Sequence, residues 1–168
     1  MGELKLRKRK SEKAESGNWE RGNEPRTTGK RKAEIRKTEM NQGRLSAEFR
    51  DRTKMFASSA IHLFVKLPRG REEVRVLGKQ LLRSGTSVAA QVREASRARS
   101  DAEFISKVEG ASQEADESQL WLELLRDDCN IDSEALEALI REAGELLGIF
   151  VTMVNRTKEK QKGAKKQK

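Results

Sequence analysis

The chain has 168 residues, of which 36 are lysine or arginine and 27 are aspartate or glutamate, so its formal net charge is +9. This length suits one domain, and no apolar stretch approaches the roughly 18 residues that a membrane-spanning helix needs. The N-terminus lacks the apolar segment of a secretory signal, and a single cysteine cannot form an internal disulfide. We therefore expect a soluble, cytoplasmic protein that does not bind a membrane.

The positive charge is concentrated at the two ends of the chain. Residues 1–44 carry 14 Lys and Arg against 7 Asp and Glu, residues 156–168 carry 7 against 1, and the middle carries 15 against 19. The first 43 residues have few large apolar side chains, so they cannot bury enough apolar area to offset the entropy of ordering. We predict a disordered basic arm (1–43), a four-helix bundle (44–158) and a disordered basic tail (159–168).

Apolar residues recur at helical spacing and predict four helices, of which two lie before residue 99. The first helix follows Ser46, a favourable N-cap, and ends at Pro68, because proline pushes the preceding residue out of the α region. The second runs from about Glu72 to Ala98, with small side chains in its middle that permit close helix packing. Their apolar stripes are Leu45, Phe49, Phe56, Ala60, Leu63 and Leu67, and Leu77, Leu81, Ser84, Val88, Val92 and Ala95.

The other two helices are predicted in the second half of the chain. The third opens with a capping box in which Ser100 and Glu103 satisfy each other's backbone amides, and the fourth is capped by Asp132 or Ser133 after a short loop. Their stripes are Phe104, Val108, Ala111, Ala115, Ser118, Leu122 and Leu125, and Leu136, Leu139, Ala143, Leu147, Phe150 and Val154. Short connections favour an all-α, antiparallel up-down-up-down bundle.

Helices three and four carry further apolar side chains beside these stripes. The additional residues include Leu120, Trp121, Leu124, Ile149 and Met153. A monomeric bundle buries one stripe per helix, and a contiguous exposed apolar patch usually marks an interface. We therefore predict a homo-oligomer whose subunits meet through these five residues. The alternative is that Trp121, Ile149 and Met153 only enlarge the core of a monomer.

Three runs of sequence are long and distinctive. They are LGKQLLRSGTSVAAQVREA (77–95), RSDAEF (99–104) and EADESQLWLELL (114–125). These runs resemble the four-helix bundle proteins of the ribosomal-RNA intervening-sequence (S23) family, to which the accessory variability determinant proteins of diversity-generating retroelements are similar. The resemblance implies a left-handed antiparallel bundle that assembles as a ring-like homopentamer. For the retroelement relatives, it also implies a basic surface that contacts nucleic acid and a reverse transcriptase.

The sequence gives little support to an enzyme. The single histidine, His62, lies in helix one, whereas di-iron bundles need Glu-x-x-His pairs on two helices. Cys129 lies beside Asp127 and Asp128, whose negative charges disfavour the reactive thiolate. The sequence contains no glycine-rich phosphate loop, zinc-ligand spacing or nucleophile–base pair. We expect no catalytic activity, no cofactor and no metal.

Nucleic-acid binding has better support from the basic residues. Lysines and arginines at the chain ends would neutralise phosphates and release counterions with little sequence preference. In an oligomer these contacts would be multiplied and would gain avidity. The candidate residues are Lys5, Arg7, Lys8, Arg9 and Lys10 in the arm, Arg83, Arg93, Arg97 and Arg99 in and after helix two, and Lys158, Lys160, Lys162, Lys165 and Lys166 near the C-terminus.

Three hypotheses remain open at this level. The first is a non-catalytic, oligomeric accessory or scaffold protein that binds RNA or DNA through its basic arms and surface. The second is a protein-binding scaffold, for example for a reverse transcriptase, without physiological nucleic-acid binding. The third is an enzyme, which would be revived by a metal or cofactor bound to the purified protein. A neighbouring reverse-transcriptase gene, or a position inside a ribosomal-RNA gene, would discriminate between the first two.

Overall fold

The computed structural model describes residues 43–166, which form four α-helices and, within that range, no strands. The helices are α1 (Ala47–Lys66), α2 (Glu72–Ser96), α3 (Asp101–Asp127) and α4 (Glu134–Lys166). Buried side chains from all four meet in one apolar core. The predicted all-α class with four helices is confirmed. In this part of the chain, no helix combines the length and the apolar character that crossing a bilayer requires.

Side-chain caps fix the starts of the first and last helices. The Ser46 hydroxyl accepts a hydrogen bond from the Phe49 amide at 3.2 Å, as the sequence predicted for α1. At the start of α4, the Ser133 hydroxyl accepts from the Leu136 amide at 3.1 Å. Of the two predicted caps for α4, the serine therefore makes the capping bond.

The predicted capping box at the start of α3 is only half formed. The Ser100 hydroxyl accepts from the Glu103 amide at 3.1 Å, as predicted. The Glu103 carboxylate, however, accepts from the Arg99 amide at 2.8 Å rather than from the amide of Ser100. The reciprocal bond is shifted by one residue because the flexible glutamate reaches one residue further back along the chain.

The core follows the predicted stripes closely, but Phe49 on α1, Leu77 on α2 and Leu147 on α4 are only half-buried. All seven residues predicted for the α3 stripe are buried. On α4, Leu147 is only half-buried, while Leu146 is fully buried in its place. Leu146 lies three residues after Ala143 and four before Phe150, whereas Leu147 lies four after and three before. Both spacings place the leucine on the same face of a helix as Ala143 and Phe150. The sequence alone therefore did not distinguish the two leucines.

Contacts between helices follow the order of the chain. The interface between α2 and α3 is the most extensive, and that between α1 and α4 is the smallest. Between α2 and α3, the Ser118 hydroxyl donates to the Ser84 hydroxyl at 2.8 Å, and Lys107 forms an ion pair with Glu94. Residue numbers therefore rise along one helix as they fall along the other.

One arginine connects the two loops at the end of the molecule where α2 begins. Arg71 donates from Nη1 to the carbonyl oxygen of Cys129 at 2.6 Å. The next residue, Asn130, has a φ of 54°, in the left-handed region that asparagine tolerates better than most side chains. The arginine thus holds the α3–α4 loop against the turn that precedes α2.

Replacement of this arginine should destabilise the fold modestly. We expect Arg71→Ala to lower the free energy of unfolding by about 1 kcal/mol, because a charged donor to a buried carbonyl is lost. Urea denaturation followed by circular dichroism measures this change. Arg141→Ala, at an exposed position on α4, is the control and should have almost no effect. Equal stability of the two variants would show that the loop contact contributes nothing.

The last helix is longer than the sequence predicted. The bundle was predicted to end at residue 158, with a disordered tail from 159, but α4 continues to Lys166. Lys158 Nζ bonds to Glu109 Oε1 of α3 at 2.8 Å, which attaches this part of α4 to its neighbour. The residues that follow are mainly lysine, glutamine and glutamate, all good helix formers, so the helix propagates beyond its last contact. The predicted disorder of the N-terminal arm falls on residues outside the described part.

Candidate nucleic-acid interface

The charges of the folded part are divided unequally between its two halves. Residues 44–99, which include α1 and α2, carry 13 Lys and Arg against 5 Asp and Glu. Residues 100–155, which include α3 and most of α4, carry 3 against 14. The net charges of the two halves are therefore +8 and −11. A polyanion is attracted to the α1–α2 half and repelled by the other.

A basic groove lies between α1 and α2, near the end where α1 begins and α2 terminates. Its volume is about 670 Å³. Its lining consists of four cationic side chains, two alanines and one aspartate. The residues that define this groove are Arg50, Lys54, Arg93, Arg97, Ala89, Ala90 and Asp51.

Helical spacing explains why these cations meet. Arg50 and Lys54 are four residues apart on α1, and Arg93 and Arg97 are four residues apart at the end of α2, so each pair shares one face. Packing of α1 against α2 then brings the two pairs to the same groove. Arg50 also donates from Nη1 to the Ser96 hydroxyl at 3.1 Å, which holds its guanidinium in place.

Three of the four cations are free to bind an anion. Within residues 43–166, Lys54, Arg93 and Arg97 form no ion pair with a carboxylate. All three are exposed to solvent. A phosphate that binds them would displace water and counterions rather than a protein carboxylate, which is the favourable situation for binding a nucleic-acid backbone.

Two other predicted arginines lie outside the groove. Arg83 forms an ion pair with Glu117 of α3, with Nη2 and Oε2 2.8 Å apart. Arg99 lies in the turn before α3, two residues past the C-cap of α2. The structure therefore brings Arg93 and Arg97 together and separates them from Arg83.

Both chain ends join the folded part at the end of the bundle where α2 terminates and α3 begins. The Arg44 amide donates to the carbonyl oxygen of Ser96 at 2.7 Å, so the N-terminal arm is joined beside the end of α2. The contact of Lys158 with α3 places the end of α4 beside the first half of that helix. Lys160 and Lys162 are exposed, and Lys165 and Lys166 belong to the end of α4. The predicted residues Lys5, Arg7, Lys8, Arg9 and Lys10 lie outside the described part.

Sequence reasoning missed Arg50 and Lys54. The available signal was their spacing of four residues, but Asp51 and Arg52 lie between them and obscure the pattern. Arg52 points to a different neighbour, because its Nε lies 2.6 Å from Glu142 Oε1 on α4, and it also pairs with Glu145. Hydrogen bonds to these two carboxylates raise the pKa of Arg52 further above its ordinary value.

The five residues predicted for an oligomer interface differ in exposure. Leu120 is 47% exposed on α3, whereas Trp121 and Met153 are half-buried and pack against the core. Leu124 and Ile149 are also half-buried, and Ile149 lines a shallow depression on α4 together with Met153. Contacts of Trp121 and Met153 with the core agree with the alternative reading of these two residues, and the interface itself stays a prediction.

Two buried polar atoms on α3 have no hydrogen-bond partner among the described residues: Glu114 Oε2 and Trp121 Nε1. Burial raises the pKa of the Glu114 carboxyl, nearby Glu117 raises it further, and Arg83 opposes both effects. The folded protein therefore binds more protons at this site than the unfolded chain just above pH 4.5, the ordinary pKa of glutamate. The stabilisation of the folded state by the protonated Glu114 carboxyl is fully present below that pH, and it is lost as the pH rises through the folded-state pKa.

Replacement of Glu114 by glutamine should remove this pH dependence. We expect the Tm of Glu114→Gln to match that of the wild type at pH 4 and to exceed it at pH 7, because the desolvated charge is absent. Thermal denaturation at both pH values measures the difference. Asp132→Asn is the control, since this exposed carboxylate in the α3–α4 loop lies away from Glu114 in sequence and forms no ion pair among the described residues, so it should show no gain at pH 7. A lower Tm for Glu114→Gln at pH 7 would contradict the assignment.

The side chains that could act in catalysis or bind a metal, His62 and Cys129, do not line the groove. His62 is exposed and lines a cavity of about 620 Å³ between α1 and α4, and Cys129 is buried in the α3–α4 loop. Across residues 43–166, no group of three or more His, Cys, Asp or Glu side chains is placed to hold a metal ion. The absence of an activity and of a cofactor stays a prediction from the sequence.

Comparisons with known proteins follow the same part of the chain. A family model described as 23S rRNA-intervening sequence protein matches residues 47–151, which include the whole groove but neither basic end. A solved structure from Bacteroides thetaiotaomicron, described as a protein with unknown function from the S23 ribosomal protein family, is 35% identical. That match covers 62% of this chain and 96% of the other, with a TM-score of 0.57. No curated protein matches the chain.

Proposed function

Since the chain belongs to the 23S rRNA-intervening sequence protein family, we propose that it is a non-catalytic, cytoplasmic, oligomeric bundle protein that binds nucleic acid. The basic groove and the basic chain ends would together contact the phosphate backbone. The observation that supports this most directly is that Lys54, Arg93 and Arg97 line one groove and have no carboxylate partner in an ion pair among the described residues.

The proposed architecture is an antiparallel four-helix bundle. Besides the α2–α3 pairs, contacts between α1 and α4 support it. Arg52 meets Glu142, and the rings of Phe49 and Phe150 make an edge-to-face contact with centroids 5.9 Å apart. The lower-numbered residue of α1 thus meets the higher-numbered residue of α4, as antiparallel neighbours require.

The composition of the groove favours a ligand recognised by its backbone rather than by its bases. Base reading needs amide or other hydrogen-bonding side chains at base edges, or aromatic rings for stacking. The groove lining contains no aromatic or amide side chain. Arginine and lysine contacts to phosphate fix position and supply affinity without sequence information. We therefore expect weak sequence preference and a steep decrease of affinity with salt.

The proposal includes self-association, and the resemblance noted from the sequence suggests a homopentamer. An oligomer would present several copies of the groove and of the basic ends to one polyanion. Binding through several linked sites multiplies modest contacts into useful avidity. The number of subunits can be measured by light scattering of the full chain.

The first experiment measures binding of fluorescently labelled structured RNA and duplex DNA by the full chain, at low and physiological salt. The same titration is repeated with a variant that lacks residues 1–43. We expect both proteins to bind at low salt, with a smaller salt dependence for the shortened one because fewer counterions are released. Absence of binding by the full chain at low salt would overturn the proposal.

A second candidate function is a protein-binding scaffold, for example for a reverse transcriptase. The net charge of −11 on residues 100–155 favours it, because such a surface attracts a basic partner protein. Failure of the RNA and DNA titrations, combined with stable capture of the product of a neighbouring gene, would support this function instead.

A further inference from the structure

A small apolar pocket with a basic rim lies at the turn between α1 and α2. We call it the socket and define it by an apolar wall of Phe64, Val65, Leu67, Pro68 and Val74 and a rim of Arg69, Arg75 and Lys79. Its volume is about 250 Å³. Sites for small molecules usually occupy about 300–1,000 Å³, so the socket suits a single side chain better than a cofactor.

The rim of the socket carries positive charge that the described part of the chain does not neutralise. Arg75 forms an ion pair with Glu72 on the same helix. Arg69 and Lys79 form no ion pair within residues 43–166. Val65 is 60% exposed beside them. The socket therefore presents apolar surface and uncompensated cations to the same occupant.

A surface of matching chemistry lies on α3. We call it the knob and define it by Leu120, which is 47% exposed, with Asp116, Glu123 and Asp127 around it. These carboxylates lie four residues before, three after and seven after the leucine, so all four side chains share one face of the helix. Asp116 forms no ion pair in the described residues, and Glu123 accepts only from the Gln119 amide group, at 2.8 Å. Asp127 is paired with Arg126, whose Nε lies 2.6 Å from Asp127 Oδ1, so the uncompensated negative charge beside Leu120 comes from Asp116 and Glu123.

We propose that the knob of one copy docks into the socket of the next copy, an inference that rests on the self-association proposed above. Leu120 fills the apolar pocket, while the carboxylates around it face Arg69 and Lys79. The occupant is a second copy of this chain because the knob matches the socket in two ways. It offers an exposed apolar side chain to an apolar pocket, and it offers carboxylates to a basic rim. Burial of a leucine gains about 1.5–3 kcal/mol, and the opposite charges steer and orient the encounter.

The contact is heterologous, since knob and socket are different surfaces of one molecule, and every copy offers both. Ser118 lies opposite Ser84, so Leu120 lies at the level of residue 82 on α2. Lys79 is three residues from that level, about 4.5 Å along the helix axis at 1.5 Å per residue. Val74 of the apolar wall is eight residues from that level, about 12 Å, so a copy in the same orientation is shifted along the helix axis when Leu120 enters the socket. The same shift brings Asp116, which lies at the level of residue 86 in its own copy, close to the level of Lys79 on the next copy.

Charge reversal tests the contact directly, with the full chain and light scattering coupled to size-exclusion chromatography. Lys79→Glu and Asp116→Lys each place like charges across the interface, so each should raise the dissociation constant of the assembly at least about tenfold. The double variant, which carries both substitutions in one chain, restores opposite charges and should assemble like the wild type. Lys66→Glu, a reversal on α1 outside the socket, is the control and should leave the mass unchanged.

The outcomes separate this contact from the broader proposal. A monomeric wild type would overturn both the self-association and the knob–socket contact, while leaving nucleic-acid binding to its own titration. An oligomeric wild type whose mass withstands both single reversals would overturn the contact alone. Dissociation of both single variants without recovery in the double variant would show that the two residues do not face each other. Circular dichroism melting confirms that each variant is folded.

Discussion

Replacement of both Arg93 and Arg97 by glutamine should weaken binding of duplex RNA by about 100-fold at low salt. Each arginine supplies a charged hydrogen bond to phosphate, which contributes about 1.5 kcal/mol or more, and 1.4 kcal/mol is a tenfold change in affinity. Neither arginine forms an ion pair among the described residues, so the loss falls on the ligand rather than on the fold. Fluorescence anisotropy of a labelled duplex measures the change.

The salt dependence of the same variant provides an independent quantity. Each phosphate contact contributes about 0.9 to the slope of log affinity against log salt for B-form DNA, so a duplex DNA ligand should show a slope reduced by about 1.8. A variant that was merely misfolded would lose affinity without this defined change in slope. The change in slope therefore gives the number of phosphate contacts that Arg93 and Arg97 make.

A matched control separates the groove from general positive charge. The variant Lys66→Gln with Arg141→Gln loses the same two charges at exposed positions outside the groove. Both variants are therefore also compared at physiological ionic strength, where long-range attraction between exposed charges is largely screened, and there we expect the control to bind RNA within about threefold of the wild type. If control and groove variants lose affinity equally, binding depends on net charge and the groove is not a defined site.

The helices could be predicted from sequence because their signals are local. Ser46 and Pro68 bracket α1, and the regular alternation of spacings on α3 identified every buried residue of that helix except Ile105. The predictions failed where two local arrangements of the side chains suit the same sequence pattern. Leu146 and Leu147 both fit the core face of α4, and the Glu103 carboxylate could reach either of two adjacent amides. Packing against neighbouring helices selects between such solutions.

The candidate site was harder to predict because it depends on which helix faces lie side by side. The sequence identified Arg93 and Arg97 as basic residues, but it did not place Arg50 and Lys54 across from them. It also grouped Arg83 with these arginines, although that side chain is paired with Glu117 on α3. The division of charge between residues 44–99 and 100–155 was present in the sequence but was hidden by averaging over the whole middle segment.

Trp121→Ala should lower the free energy of unfolding by about 3 kcal/mol, the lower end of the range for truncating a buried tryptophan. The lower end applies because the side chain is half-buried while packing against the core. Trp121→Phe should cost less than about 1 kcal/mol, since it keeps an aromatic ring and removes a buried N–H group that has no acceptor in the described part. Urea denaturation followed by circular dichroism compares both variants with the wild type.

The concentration dependence of this loss assigns Trp121 to the core or to an interface between subunits. If the side chain stabilises the core of one subunit, Trp121→Ala should unfold at lower urea at every protein concentration, while the assembly keeps its mass. If it lies between subunits, the loss should vary with protein concentration, because the stability of an oligomer depends on mass action. Its contacts with the core favour the first result, with Leu120 as the side chain of α3 that remains available to a partner. A loss that varies with concentration would therefore place Trp121 in the interface that the sequence predicted.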